Sequence, residues 1–137
     1  MVVRSQEDRA VESEDDIAAV RSSVKRIVAL LNFSLVNQTK IITAASEIAR
    51  NTYEHGKGGE AHIQLVDEAD RIGIRINFED TGPGIPDIDR AMEDGFTTGK
   101  GMGLGLGGAR RLMDEFKIES TSSLGTKVSI TKWQEKV

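Results

Sequence analysis

Apolar residues along this chain keep more than one rhythm. Ile17, Val20, Val24, Ile27, Val28 and Leu31 recur at steps of three and four, which predicts an amphipathic helix over residues 14–32. Ser13, with Asp16 three residues on, makes a capping-box-like start, and Glu14 and Asp15 add favourable negative charge to the first turn. A second helix is expected to begin at Asn37 or Thr39 and run to about Glu54, with Ile41, Ile42, Ala45, Ile48, Ala49 and Thr52 along one stripe. His55-Gly56 closes it, the glycine being expected to supply a left-handed turn. The period then drops to two. Ile63 and Leu65 alternate with His62 and Gln64, and Ile72, Ile74, Ile76 and Phe78 alternate with Gly73, Arg75 and Asn77. With the polar turn 67–70 between them, these runs predict an antiparallel hairpin buried on one face.

Further on, Leu104 to Asp114 is expected as a third helix, and Phe116 to Thr121 with Thr126 to Trp133 as a closing hairpin around Ser122–Gly125. Val128 and Ile130 share its inner face; Trp133 falls on the other parity, against a neighbour or partly exposed. His62 reads as an outward-facing strand residue. The first dozen residues are ambiguous, with Val2-Val3 and Val11 able to flank a short edge strand. The order helix, helix, strands, loop, helix, strands predicts an α+β fold, helices packed on one face of a mostly antiparallel sheet.

Composition narrows the function classes. A chain of 137 residues fits one domain, 1–137, able to bury about two-thirds of its unfolded surface. Cysteine is absent, which excludes disulfides and thiolate zinc sites. Eighteen Lys+Arg against 22 Asp+Glu, a net charge of −4 and no basic block argue against a nucleic-acid binder. The N-terminal stretch has no apolar signal-peptide core and no run reaches membrane-spanning length, so a cytoplasmic location is expected.

Nine of the 14 glycines fall within residues 79–108. Gly103–Gly108 matches G-x-G-x-x-G, but it follows a polar loop instead of a buried strand, and Asp114 and Glu115 come too early for the ribose acid of a dinucleotide fold. Gly95–Gly101 falls one spacer short of a P-loop and lacks the hydroxyl after Lys100. What remains is a glycine run ending where a helix begins, which leaves unpaired N–H groups converging on one point, a setting for phosphates. Earlier, Asp80-Thr-Gly82-Pro-Gly84 follows directly on the strand ending at Phe78. A carboxylate held there accepts a hydrogen bond from an exocyclic amine, or caps its own turn; the residue pattern allows both. On the second helix, Glu47, Asn51, Glu54 and His55 form a stripe rotated from the apolar one. A neutral amide at Asn51 suits one position on Mg²⁺, and Glu47 one turn away suits deprotonation of a hydroxyl; a plain solvated face explains the same spacing.

Taken together the pieces resemble the ATP-binding signature of the GHKL superfamily. Glu47-Ile-Ala-Arg-Asn51 corresponds to its N-box, Asp80–Gly84 to its first glycine box and Gly95-Phe96-Thr97-Thr98 to its phenylalanine box. Gly101-Met-Gly103-Leu104-Gly105-Leu106 corresponds to the second glycine box and Gly125-Thr126 to the last. The resemblance implies a Bergerat-type ATP-binding fold, an α/β sandwich with a mixed sheet covered by helices on one side. It implies ATP and Mg²⁺ as cofactors, Asp80 on the adenine amine with Gly82 and Gly84 beside it, and Thr126 nearby through water. It assigns Mg²⁺ to Asn51, catalysis to Glu47, the phosphates to Gly101, Gly103 and Gly105, and further nucleotide contacts to Thr97, Thr98, Leu104 and Leu106, with Phe96–Met102 as a lid. Lys100 either offers charge to the γ-phosphate or sits in solvent, and His55 is equally open. Within the superfamily the chain most resembles small RsbT-type serine/threonine kinases of bacterial partner switching. These imply a STAS-domain antagonist protein as substrate and a PP2C-type phosphatase as the activated partner in stress signalling. An anti-sigma factor whose kinase activity releases a sequestered polymerase subunit is the alternative.

Overall fold

The computed structural model describes residues 1–85, 88, 92, 105–121 and 123–134. In chain order the elements are β1 (Val2–Val11), α1 (Glu14–Val28), α2 (Leu35–Glu54), β2 (Gly59–Glu68), β3 (Arg71–Asp80), α3 (Gly105–Leu112), β4 (Glu115–Thr121) and β5 (Gly125–Trp133). The strands form one sheet in the order β1-β2-β3-β5-β4, and all four described pairings are antiparallel. No described helix is long and apolar enough to cross a membrane.

Strand alternation sorts the sheet into two faces. Ile63, Ile76, Ile130 and Phe116 lie in one cross-strand row, and Ala61, Phe78, Val128 and Ile118 in the next. Against these rows pack Ile17, Val20, Val24, Ile27 and Val28 of α1 and Ile41, Ala44, Ala45, Ile48 and Ala49 of α2. Leu106 and Ala109 of α3, with Met113 just beyond it, complete the same core. Helices thus cover one face, as the period change predicts. Each fully buried isoleucine or phenylalanine there contributes about 1.5–3 kcal/mol of transfer free energy.

The opposite face is polar except at one end, where Val66, Gly73 and Trp133 stand in register. Trp133 is 9% exposed; its indole N–H donates to Glu115 at 2.6 Å and the Arg71 guanidinium lies 4.0 Å from the ring centroid. Of the two fates open to it, it lies against a neighbour.

Several boundaries depart from expectation, each for a local reason. β1 is a full ten-residue edge strand, yet only Val11 is buried. Its side toward α1 carries Glu7 and Arg9, which bond Arg26 and Ser23, so no period-two apolar signal exists to read. Inward charges of this kind also discourage edge-to-edge pairing. α1 stops at Val28 with Ala29 as cap, and Leu30 beyond it is 73% exposed. Ser13 does cap it, accepting from the Asp16 N–H, while the Asp16 carboxylate accepts from the N–H of Glu12. α2 begins two residues before Asn37, because Ser34 is its N-cap and accepts from the Asn37 N–H at 3.1 Å. At its far end the left-handed residues are Lys57 (φ 60°) and Gly58 (φ 101°), not Gly56.

Candidate functional site

Gly56 serves the fold by close approach. It sits at the end of α2, and a Cβ placed on it would lie 2.6 Å from the Asp80 Cβ and closer still to the carboxylate. Asp80 ends β3 on the helix-facing side, one alternation beyond Phe78, and is 8% exposed. Its Oδ1 accepts the backbone N–H of Gly82 at 2.9 Å and of Thr126 at 3.2 Å. A buried carboxylate without such donors costs several kcal/mol, and charge-assisted bonds of this kind offset that cost. Since an ionised carboxylate offers about four lone-pair sites, two accepted bonds leave capacity for a further donor.

The turn after Asp80 is clamped from two sides. Toward α2, a Cβ on Gly82 would stand 2.6 Å from the Gly56 carbonyl oxygen. Toward the β4–β5 turn, a Cβ on Gly84 would stand 2.8 Å from the Thr121 carbonyl carbon, and one on Gly125 the same distance from that of Asp80. Gly84 (φ 79°) and Gly125 (φ 83°) also use the left-handed region, so both positions exclude side chains on two grounds. Ser120, paired with Thr126 across β4 and β5, shares a hydroxyl hydrogen bond of 2.8 Å with it and accepts the Ile85 N–H at 2.6 Å. The main chain of Asp80–Ile85 is therefore fixed by α2, β5 and β4 together.

Two further groups of expected site residues lie on α2 and at the start of α3. Glu47 and Asn51 lie half-buried on α2, where the Asn51 carbonyl accepts the His55 N–H at 2.9 Å. At 1.5 Å per residue, Asn51 stands about 7–8 Å and Glu47 about 13–14 Å up the helix axis from Gly56. α3 packs against α2; Gly107 and Gly108 are buried, and a Cβ on Gly107 would lie 2.8 Å from the Met92 carbonyl carbon. Gly105 opens that helix, and Leu106 is 2% exposed in the core.

Asp80, Gly82, Gly84, Gly125 and Thr126 are thus brought to one place beneath the end of α2. Thr97, Thr98, Lys100, Gly101, Gly103 and Leu104, with the rest of Phe96–Met102, lie outside the described residues. Two participants were not expected from sequence: Gly56 as the seat of Asp80, and Ser120. The glycine was visible, but a helix end explained it; Ser120 gains meaning only once the β4–β5 register pairs it with Thr126.

Comparison with known proteins identifies the family. Residues 36–136 match the family described as histidine kinase-, DNA gyrase B-, and HSP90-like ATPase. The chain is 44% identical over 123 residues to the serine/threonine-protein kinase RsbT of Bacillus subtilis (strain 168), covering 90% of this chain and 92% of that protein. It is 35% identical over 118 residues to the anti-sigma F factor of Thermoanaerobacter sp. (strain X514), covering 82% of each. Among solved structures, it superposes on the RsbU and RsbW domains of a Mycobacterium tuberculosis protein with a TM-score of 0.65 at 18% identity, covering 96% of this chain and 33% of that one. It superposes on the mycobacterial sensor histidine kinase MprB with a TM-score of 0.57 at 16% identity, covering 97% and 100%. These two likenesses concern the fold alone. With the match extending from the start of α2 to the end of the sheet, the chain belongs to the histidine kinase-, DNA gyrase B- and HSP90-like ATPase family, and within it is similar to RsbT-type kinases.

Proposed function

We propose that this protein is an ATP- and Mg²⁺-dependent serine/threonine protein kinase acting as a switch between protein partners. The observation that supports it most is the buried Asp80 carboxylate, positioned by the Gly82 and Thr126 amides beneath Gly56 with acceptor capacity to spare. A fixed carboxylate of this kind takes the exocyclic amine of adenine. Gly82 and Gly84, packed on the main chain of Gly56 and Thr121, fix the turn beside the base, and Thr126 approaches the base through water.

The order along α2 gives the rest of the nucleotide a direction. Gly56 stands over the base, Asn51 one turn up, and Glu47 one turn further. The phosphates run up the helix, and Gly105 and Leu106 at the start of α3 meet them from the other side, where helix N–H groups suit anions. Asn51 suits Mg²⁺, since a hard cation takes a neutral amide oxygen and leaves its other positions to water and phosphate. Bound there, Mg²⁺ supplies charge neutralisation for the phosphates. Glu47, farthest from the base, accepts the proton of the substrate serine hydroxyl as its oxygen bonds the γ-phosphorus and the bond to the β-phosphate bridging oxygen breaks. The chain's contribution is then positioning plus one proton acceptor.

The similarity to a serine/threonine-protein kinase at 44% identity favours protein as the acceptor. The substrate we propose is a serine on a small STAS-domain antagonist, with a PP2C-type phosphatase as the partner activated after release. The similarity to an anti-sigma F factor at 35% identity supports the second reading, a kinase that sequesters a sigma factor. Incubation with γ-labelled ATP and STAS-domain proteins, followed by mass spectrometric mapping, is expected to place phosphate on one serine. Capture of a phosphatase from extract supports the first reading, and capture of a sigma factor replaces it with the second. Absence of any labelled serine overturns both.

A further inference from the structure

On the sheet face turned away from the helices, Glu60, His62 and Glu79 offer one ligand atom each, all within 4.8 Å of one another. Glu60 and Glu79 are direct cross-strand neighbours on β2 and β3. Like charges set opposite one another destabilise a sheet unless something cationic lies between them. His62 stands two residues along β2, with Nε2 3.3 Å from Glu79 Oε1 and 3.6 Å from Glu60 Oε2. Its other nitrogen is committed: Nδ1 lies 2.6 Å from Asp8 Oδ1 on β1. Without metal Nε2 shares a proton with Glu79; a metal would displace that proton, while the carboxylate on Nδ1 holds the ring in place, as carboxylates do for histidine ligands in zinc proteins.

From this geometry we infer a divalent transition-metal site, zinc being the fitting ion, held by His62 Nε2 and the carboxylates of Glu60 and Glu79, with Asp8 as the residue that positions the imidazole. Zinc–nitrogen and zinc–oxygen bonds of about 2.0–2.2 Å set tetrahedral ligand–ligand edges at about 3.3–3.6 Å. The two Nε2–carboxylate separations, 3.3 and 3.6 Å, already stand at that spacing. The three ligands leave a fourth position open, as catalytic and exchangeable zinc sites do. That position borders a concavity of about 300 Å³ that His62 and Glu79 share with Asn77, Lys117, Glu119 and Lys127. Lys127 stands opposite Glu79 in the β3–β5 register, a cation on the same sheet face. The Asp8 hydrogen bond raises the His62 pKa, so protons compete with a metal for Nε2. The site joins β1, β2 and β3 on the face opposite Asp80 and does not depend on the nucleotide reading.

Equilibrium titration of the metal-free full chain with Zn²⁺, against a chromogenic chelator at pH 7.5, tests the inference. One Zn²⁺ per chain is expected, with Mg²⁺ in hundredfold excess failing to displace it. His62→Gln should weaken binding at least 100-fold, Glu60→Gln and Glu79→Gln about tenfold or more each, and Asp8→Asn about 10- to 100-fold. His55→Gln, which removes the chain's other imidazole, should leave it within twofold. Circular dichroism checks that each variant is folded, and exposed Glu60 gives a variant that leaves the core untouched. No stoichiometric Zn²⁺ binding by the wild type, or equal binding by folded His62→Gln and Glu60→Gln, overturns the site.

Discussion

Replacing Gly56 by alanine tests whether the end of α2 rests on Asp80. The backbone itself accepts the change, because Gly56 is not among the left-handed residues. At such a position Gly→Ala normally stabilises by about 0.4–1 kcal/mol through the unfolded chain. Here the added Cβ would lie 2.6 Å from the Asp80 Cβ, so rotating the carboxylate away does not relieve the contact and the main chains must part. Overpacking of that kind costs about 1–3 kcal/mol, leaving a net loss of about 0–2.6 kcal/mol, centred a little above 1 kcal/mol. For a chain of this size that lowers Tm by several degrees. Separation also stretches the bonds from the Gly82 and Thr126 amides to Asp80 Oδ1. Hydrogen bonds to a charged group are worth about 1.5–3 kcal/mol, so misplacing the carboxylate weakens ATP by about 10- to 100-fold. Urea unfolding and titration of a fluorescent ATP analogue measure the two effects. Adding Asp80→Gly in a double-mutant cycle should recover part of the stability, with an interaction energy of about 0.5–3 kcal/mol. A Gly56→Ala protein that is more stable than wild type and binds ATP normally would refute the packing of α2 on Asp80.

Three other outcomes follow from named residues. Glu47→Ala is expected to bind ATP with unchanged affinity while phosphoryl transfer falls about 10²–10⁴-fold; Asn51→Ala should instead lose the Mg²⁺-dependent part of nucleotide affinity, and a shared phenotype in single-turnover assays removes the division of roles. Ile76→Ala, in the row joining Ile63 and Ile130, should cost about 2–5 kcal/mol by chemical denaturation, with less than 1 kcal/mol placing that row outside the core. With chelator present, the stability lost in His62→Gln depends on pH in a set direction. The Asp8 contact raises the His62 pKa in the folded state, so its contribution is full below the ordinary imidazole value of about 6.5 and fades as pH rises through the folded value. The same contact lowers the Asp8 pKa, so its share is present above the ordinary carboxylate value and fades as pH falls through the folded one. Urea midpoints for wild type and His62→Gln should therefore differ more at pH 5.5 than at pH 9, and the reverse order contradicts the ion pair.

Most of the architecture was legible because each element follows its own periodicity. The i, i+3, i+4 recurrence of α1 and α2 and the strict alternation of β2 and β3 follow directly from burial on one side. β1 was not legible, since its inward positions carry Glu7 and Arg9, whose partners come from α1. The start of α2 was misplaced because Leu35 and Val36, 80% and 65% exposed, fit no apolar stripe, which hid the Ser34 cap. In the site, the residue pattern marked Asp80 and its glycines, whereas the packing of Gly56 on Asp80 and the Ser120–Thr126 pair depend on register. No spacing within a single segment encodes such long-range approaches.

On the function proposed, α2, the turn after Asp80, the β4–β5 turn and the start of α3 enclose one nucleotide. Titrating ¹⁵N-labelled protein with Mg²⁺ and ATP while following backbone amide resonances tests it most directly. The amides of Asn51, Gly82, Gly84, Gly105 and Thr126 are predicted to shift together and saturate with a single Kd. Shifts confined to one of these segments, or Kd values that differ between them, would contradict the account.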